Sequence, residues 1–242
     1  MFLSSEIFTW PYDQQARRFA SNGDYVTRAR EIWRHARDRL DGRASDFDRT
    51  DCMTSLKRAI NHRLKALQDE YAISTLPSGR PKKQTLEMLQ DFGLVRPTLL
   101  AELMAIRNEI EHKDHPPPDL RTCQMYVDVV WYFLKSTDQL LDMVVCELVY
   151  DDLQTNSALT LDIQTSGGWN VNVEGVVLPT LLREIASEGD LEILNYEVSP
   201  RTNDHRVRFK GTVNLAPGVH LRLAHDYFGA QGYAHEDSAP CH

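Results

Sequence analysis

The sequence predicts an α+β protein of two domains: an N-terminal all-α helical bundle over residues 1–150 and a small antiparallel α+β domain over 157–228. Apolar residues recur at helical spacing in the first part of the chain. After Asp151 they alternate with period two, as in half-buried strands. Hydrophobic residues make up 42% of the chain and charged residues 26%, which is typical of a globular protein. Residues 229–242 are expected to form a mobile tail.

Helical periodicity and breakers define the elements of the first domain. Ile32, Trp33, Ala36 and Leu40 form an apolar stripe on one helix. Gly93 closes a short helix, because glycine readily adopts the left-handed conformation that follows a helix. Proline is accepted in a first helical turn, so Pro97 opens the next helix. The helices expected are 12–20, 26–40, 53–73, 85–92, one from Pro97 to the Pro116–Pro118 run, and 120–150.

The second domain begins with a β-hairpin signal. Leu159–Ile163 and Trp169–Val173 alternate in hydrophobicity on either side of a Ser-Gly-Gly turn. One helix is expected at 178–187. Three further strands are expected at 191–198, 206–214 and 219–227.

The charge of the chain is unevenly distributed. The net charge is −8, yet residues 1–100 carry 17 Lys and Arg against 13 Asp and Glu. A basic part on an acidic protein is compatible with a local anionic ligand, since phosphate contacts need only a patch. The basic faces of two predicted helices are candidates for substrate binding, through Arg34, Arg37, Lys57 and Arg58.

The apolar runs and the cysteines of the sequence indicate the cellular compartment that we expect. The longest apolar region, 120–150, is interrupted by charged residues, so no membrane span or membrane partner is expected. The four cysteines show no metal or redox spacing, and Cys123 and Cys146 are expected to be small buried residues on a helix. A reducing cytoplasm fits this usage.

Three functional side chains lie together where one helix ends. Asn108 and His112 are four residues apart and share a helix face, with Arg107 beside them. The Pro116–Pro118 run then stops the helix. Arginine matches phosphate oxygens and histidine titrates near neutrality, and a helix C-terminus favours the imidazolium form. The combination suits phosphate chemistry.

Arg107-Asn108, three intervening residues and then His112, ahead of a long apolar helix, resembles the signature of the HEPN (higher eukaryotes and prokaryotes nucleotide-binding) family. The resemblance covers residues 50–150. It implies a helical bundle that dimerises and cleaves RNA without a metal or cofactor, by 2′-hydroxyl attack. By this resemblance Arg107, Asn108 and His112 are the catalytic residues. It also implies a toxin or antiphage-defence effector, with a regulatory or antitoxin protein as a possible partner.

Three alternatives stay open at this point. Arg107 could pair with Glu111 while His112 merely caps the helix end. The domain could be a non-catalytic module for dimerisation and partner binding. A metal could bind at His112 and His115, although such sites usually need three or four converging ligands.

Overall fold

The computed structural model describes residues 1–18, 23–73, 85–95, 98–113, 115–165, 167–200, 205–215 and 217–229. The predicted tail lies outside these residues, except for its first residue. The described helices are α1 (Gly23–Asp38), α2 (Asp46–Tyr71), α3 (Thr85–Asp91), α4 (Thr98–Lys113), α5 (Leu120–Asp142) and α6 (Pro217–Phe228). Within the described ranges, short 3-10 helices cover Ser5–Thr9 and Pro179–Leu181.

The described strands form one sheet with the order β2-β3-β4-β5-β8-β7-β1-β6. All of its described pairings are antiparallel. The strands are β1 (Phe2–Leu3), β2 (Tyr12–Arg18), β3 (Met143–Asp152), β4 (Ser157–Gln164), β5 (Asn170–Val177), β6 (Leu182–Arg183), β7 (Leu191–Pro200) and β8 (Val207–Asn214).

Backbone contacts divide the chain into two compact units. One combines Met1–Arg17, Tyr71–Lys83 and Val144–His242, and it holds the sheet and α6. The other combines Arg18–Glu70 and Gln84–Met143, and it holds helices α1 to α5. The sheet unit is therefore built from segments that are distant in sequence. No described helix combines the length and apolar content that crossing a membrane would take.

The predicted fold class is wrong for the N-terminal part of the chain, which is not all-α. Strand β1 lies between β7 and β6, with Leu3 opposite Leu191 and fully buried. Strand β2 replaces the helix expected at 12–20 and forms the sheet edge beside β3. Both strands pair with residues far along the chain, and such pairing overrides local propensity.

One further boundary differs from the prediction. The long helix expected to reach Tyr150 ends at Asp142, and Met143 is already extended with φ −134° and ψ 112°. The residues that follow include Val144 and Val145, whose branched side chains favour strands. In β3, Leu148 and Tyr150 are fully buried, and Cys146 lies on this strand rather than on a helix.

In the second half, the expected helix at 178–187 and strand at 219–227 are both wrong. Residues 179–183 form a 3-10 turn and the two-residue strand β6. Residues 217–228 form α6, whose buried residues Leu223, Ala224 and Tyr227 follow helical spacing. Val219, Leu221 and Leu223 alternate with polar residues, and this period-two pattern led to the wrong prediction of a strand.

The predicted hairpin is confirmed as β4 and β5, with Leu161 opposite Val173. Its turn contains Gly167 and Gly168 at φ +80° and +129°, values that favour glycine. The strands expected at 191–198 and 206–214 are confirmed as β7 and β8.

A bulge interrupts the pairing of β7 with β8 between Leu194 and Glu197. Asn195, within the bulge, has φ +49°. Gly211 lies across from it, and a Cβ at Gly211 would lie 2.9 Å from the Leu194 carbonyl oxygen. The close backbone approach therefore requires glycine at this position.

Helix α6 is held in the sheet unit by a buried carboxylate. The Tyr150 hydroxyl donates to Asp226 Oδ2 at 2.7 Å, and Asp226 is 1% exposed. Burial and this carboxylate raise the pKa of Tyr150. The Gln14 side-chain amide donates to the carbonyls of Asp226 and Tyr227 at 2.6 and 3.1 Å. The N-terminal segment and α6 thus fix one another.

The helical unit contains a wholly buried arginine. Arg63 of α2 is 0% exposed and donates to Asp138 Oδ1 of α5 at 2.8 Å. It also donates to the Leu134 carbonyl and the Thr137 hydroxyl, both at 3.1 Å. Arg30 of α1 pairs with the other oxygen of Asp138. One carboxylate therefore connects three helices.

We expect Arg63→Met to lower the free energy of unfolding by about 3–5 kcal/mol, because removing one partner of a buried ion pair leaves the other desolvated. Urea unfolding followed by circular dichroism measures the change. Lys65→Met, at an exposed position of α2, is the control and should stay within about 0.5 kcal/mol of wild type. Equal losses in both variants would contradict the role of Arg63.

A second prediction concerns the buried thiols of Cys52 and Cys123. Burial raises the pKa of Cys52 to about 12 and that of Cys123 to about 11. Because a thiol in the unfolded chain titrates at about pH 8.5, the contribution of these two thiols to stability should be constant below that pH. It should fall as pH rises from there through the folded-state values, since the unfolded state loses these protons first.

Urea unfolding at a series of pH values measures this change, and alkylation with iodoacetamide at pH 8.5, followed by peptide mass spectrometry, checks that the two thiols are protected in the folded protein. We expect Cys52 and Cys123 to react only after unfolding, because thiolate is the nucleophile. The less buried Cys146 is the internal reference. Rapid labelling of either buried thiol in the folded protein would show the prediction to be wrong.

Candidate functional site

The helix that carries the predicted motif is confirmed as α4 (Thr98–Lys113), continuous through Arg107, Asn108 and His112. Its buried residues Leu100 and Leu103 face the interior of the helical unit. Glu102 of α4 lies beside the Tyr126 side chain of α5, and burial together with this carboxylate raises the pKa of Tyr126. These contacts fix α4 about one turn before the motif.

A second helix contributes a cation to the motif. Lys57 Nζ of α2 donates to Asn108 Oδ1 at 3.0 Å. Arg107 donates to the same oxygen at 3.5 Å. The structure therefore brings together three of the predicted site residues, Lys57, Arg107 and Asn108, with one amide oxygen between two positive groups.

The two cations are close enough to affect one another. Partial burial lowers the pKa of Lys57, and the positive charge of Arg107 lowers it further. An anion in this position would favour the charged form of Lys57. Guanidinium and ammonium groups are the usual protein partners of phosphate oxygens.

His112 follows Asn108 by four residues on the same continuous helix, so its backbone lies one turn further along the same face. Its side chain and that of Glu111 lie outside the described part of the structure. The expected pairing of Arg107 with Glu111 and the cap formed by His112 therefore stay predictions.

The other predicted substrate-binding residues lie elsewhere on the helical unit. Arg58 is exposed on α2, next to Lys57 in sequence. Arg34 and Arg37 line grooves between α1 and α5, beside Trp33 and Trp131. Arg37 also pairs with Asp38. No described hydrogen bond or ion pair joins either α1 arginine to Arg107 or Asn108.

Among the residues that the structure describes, no three His, Cys, Asp or Glu side chains converge as metal ligands would. His115 is exposed, and Asp114 is not among the described residues. The alternative of a metal at His112 and His115 stays a hypothesis, since the His112 side chain is not described.

Sequence reasoning missed the two tryptophans, Trp33 and Trp131, that line the grooves between α1 and α5. Trp33 is followed four residues later by Arg37, and Trp131 is followed four residues later by Lys135. Residues four apart share a helix face, so each tryptophan has a cation beside it. This repeated spacing on α1 and α5 is the signal that could have identified them.

Comparison of the chain with protein-family models, with curated proteins and with solved structures finds no match. The resemblance to the HEPN family therefore depends on the motif of α4 and on its helical surroundings.

The electrostatic interaction between Lys57 and Arg107 can be tested directly. We expect Arg107→Ala to raise the pKa of Lys57, because the repulsion from the guanidinium is removed while the effect of burial remains. NMR titration of the lysine Cε–Hε signals, assigned with Lys57→Arg, measures it. Arg58→Ala removes an equal charge from α2 and should leave the value unchanged. An unchanged titration in Arg107→Ala would show that the two groups do not interact.

Proposed function

We propose that this protein is a metal-independent endoribonuclease of the HEPN type that acts as a homodimer. The observation that carries the proposal is the meeting of Lys57 and Arg107 at Asn108 Oδ1, one turn before His112. Two cations held together on adjacent helices suit a ligand with two or more anionic oxygens. A histidine on the same helix face adds a group that can move protons at neutral pH.

In the reaction that we propose, the 2′-hydroxyl of RNA attacks the adjacent phosphorus. The new O2′–P bond forms as the P–O5′ bond breaks, leaving a 2′,3′-cyclic phosphate and a 5′-hydroxyl. A base takes the proton from O2′, and an acid delivers one to the departing O5′. We assign this acid–base role to His112. A dimer would supply a second His112, so one could act as the base and the other as the acid.

Charge stabilisation is assigned to the cations. Negative charge grows on the phosphoryl oxygens in the transition state, and a fixed guanidinium stabilises it without reorganisation. Arg107 is the residue proposed for this, with Lys57 as a second cation and Asn108 orienting the phosphate. DNA lacks the 2′-hydroxyl and should not be cleaved.

The biological role that follows from the family resemblance is that of a toxin or antiphage-defence effector in the cytoplasm. A nuclease that attacks cellular RNA must be restrained, so a regulatory or antitoxin protein is the partner we expect. No cofactor enters the proposed chemistry.

We expect His112→Ala to reduce RNA cleavage by about 10²–10⁴-fold, the usual cost of losing an acid–base group. Arg107→Ala should lower the rate as well, and both variants should fold. The measurement uses purified protein with end-labelled RNA, and identifies the cyclic phosphate by mass spectrometry. Lys65→Gln is the charge control and should cleave at the wild-type rate.

Two substrate controls sharpen the assay. An RNA with 2′-deoxy nucleotides at the mapped cleavage sites should resist cleavage, and EDTA should have no effect. Cleavage by His112→Ala at the wild-type rate would overturn the assignment. A dimeric wild type that leaves RNA intact, in cells and in vitro, would instead indicate the non-catalytic module.

A further inference from the structure

We propose that the grooves between α1 and α5, on either side of Trp33 and Trp131, bind single-stranded RNA by stacking bases on these rings. The inference deepens the proposed function, on which it rests for the choice of RNA as the ligand. The surface, here called the tryptophan groove, consists of Trp33, Arg34, Arg37, Trp131 and Lys135.

In the tryptophan groove, a hydrogen bond holds the Trp33 ring in position, and the Trp131 ring is exposed. The Trp33 indole N–H donates to the Val127 carbonyl of α5 at 2.8 Å, which fixes the plane of the ring. The Arg37 guanidinium lies over this ring, 5.3 Å from its centre. Trp131 packs against Tyr132 with ring centres 4.9 Å apart, yet it remains 41% exposed. An exposed, oriented ring is what base stacking requires.

The groove has room for a ligand. Its wider part encloses about 490 Å³ between the two tryptophans, Arg37, Leu40, Gln124 and Val127. This volume lies within the range of about 300–1,000 Å³ typical of ligand-binding pockets. Asp41 and Asp128 also line this part, so phosphates are expected at the other end.

The narrower end is lined by three cations, Arg30, Arg34 and Lys135, with no acidic residue among its lining residues. Arg30 shares Asp138 with the buried Arg63, on which Asp142 also acts, so Arg34 and Lys135 supply the net positive charge of this end. Cations beside exposed aromatic rings form the combination by which proteins bind single-stranded nucleic acid.

Two other occupants, a second copy of this chain and a nucleic-acid duplex, fit this face less well. A second copy of the chain, related by a two-fold axis through the end lined by Arg30, Arg34 and Lys135, would bring like charges opposite one another. A duplex stacks its bases internally and offers only its backbone to a groove lined by rings. An unpaired strand alone uses both the rings and the cations.

Fluorescence anisotropy with a labelled 12-nucleotide single-stranded RNA tests the proposal, in an His112→Ala background so that no cleavage occurs. We expect Trp131→Ala to weaken binding about 5- to 150-fold, the effect of losing one stacked base. Trp131→Phe keeps a ring and should retain most of the affinity. A duplex RNA of the same length should bind more weakly than the single strand.

Exposed charges supply a test that does not depend on Trp131. Lys135→Gln should weaken binding and reduce the slope of log affinity against log salt by about 0.7, the contribution of one phosphate contact in single strands. Lys65→Gln removes the same charge from an exposed position outside the groove and should change neither. Circular dichroism checks that each variant is folded.

The proposal is overturned if Trp131→Ala and Lys135→Gln bind RNA as tightly as the parent, or if the parent binds none. A shift of Trp131→Ala from dimer to monomer at unchanged RNA affinity would make the face a protein interface. The proposed nuclease is judged separately, on cleavage by the wild-type protein. A nuclease with an unaffected Trp131→Ala variant would therefore refute the tryptophan groove alone.

Discussion

The helical unit depends on the buried charge of Arg63. A guanidinium removed from water must satisfy its donors within the protein, and here α5 supplies a carboxylate, a hydroxyl and a carbonyl. Arg30 of α1 completes the arrangement from the other side of Asp138. The positions of α1, α2 and α5 are thereby specified by direction as well as by apolar contact, because hydrogen bonds are directional.

Each of the two functional surfaces proposed for the helical unit includes at least one helix that this ion network orients. Lys57 precedes Arg63 by six residues on α2, and Trp131 precedes Asp138 by seven on α5. A shift in the network would move the cation away from Asn108 and the tryptophan away from the arginines of α1. The proposed chemistry at the phosphate and the proposed binding of bases would thus use separate parts of one framework.

Sequence patterns predicted the elements whose stabilising contacts are local. Helices α1 to α5 and the β4–β5 hairpin were predicted from periodicity, helix-end signals and a glycine turn. The strands β1 and β2 could not be predicted, because Phe2 and Leu3 pair with residues near 183 and 191. The motif of α4 was visible in sequence, whereas its contact with Lys57 depends on packing between helices.

The sheet unit has its own consequence for how the protein is made. Strand β1 lies between β6 and β7, about 190 residues later in the chain, and the helical unit is encoded in between. At a synthesis rate of about 5–20 residues per second, β6 and β7 are synthesised about 10–40 s after β1. During that interval the ribosome has already released the segments of α1 to α5. Strand β1, the first strand of the sheet to be translated, is therefore among the last to pair with its neighbours.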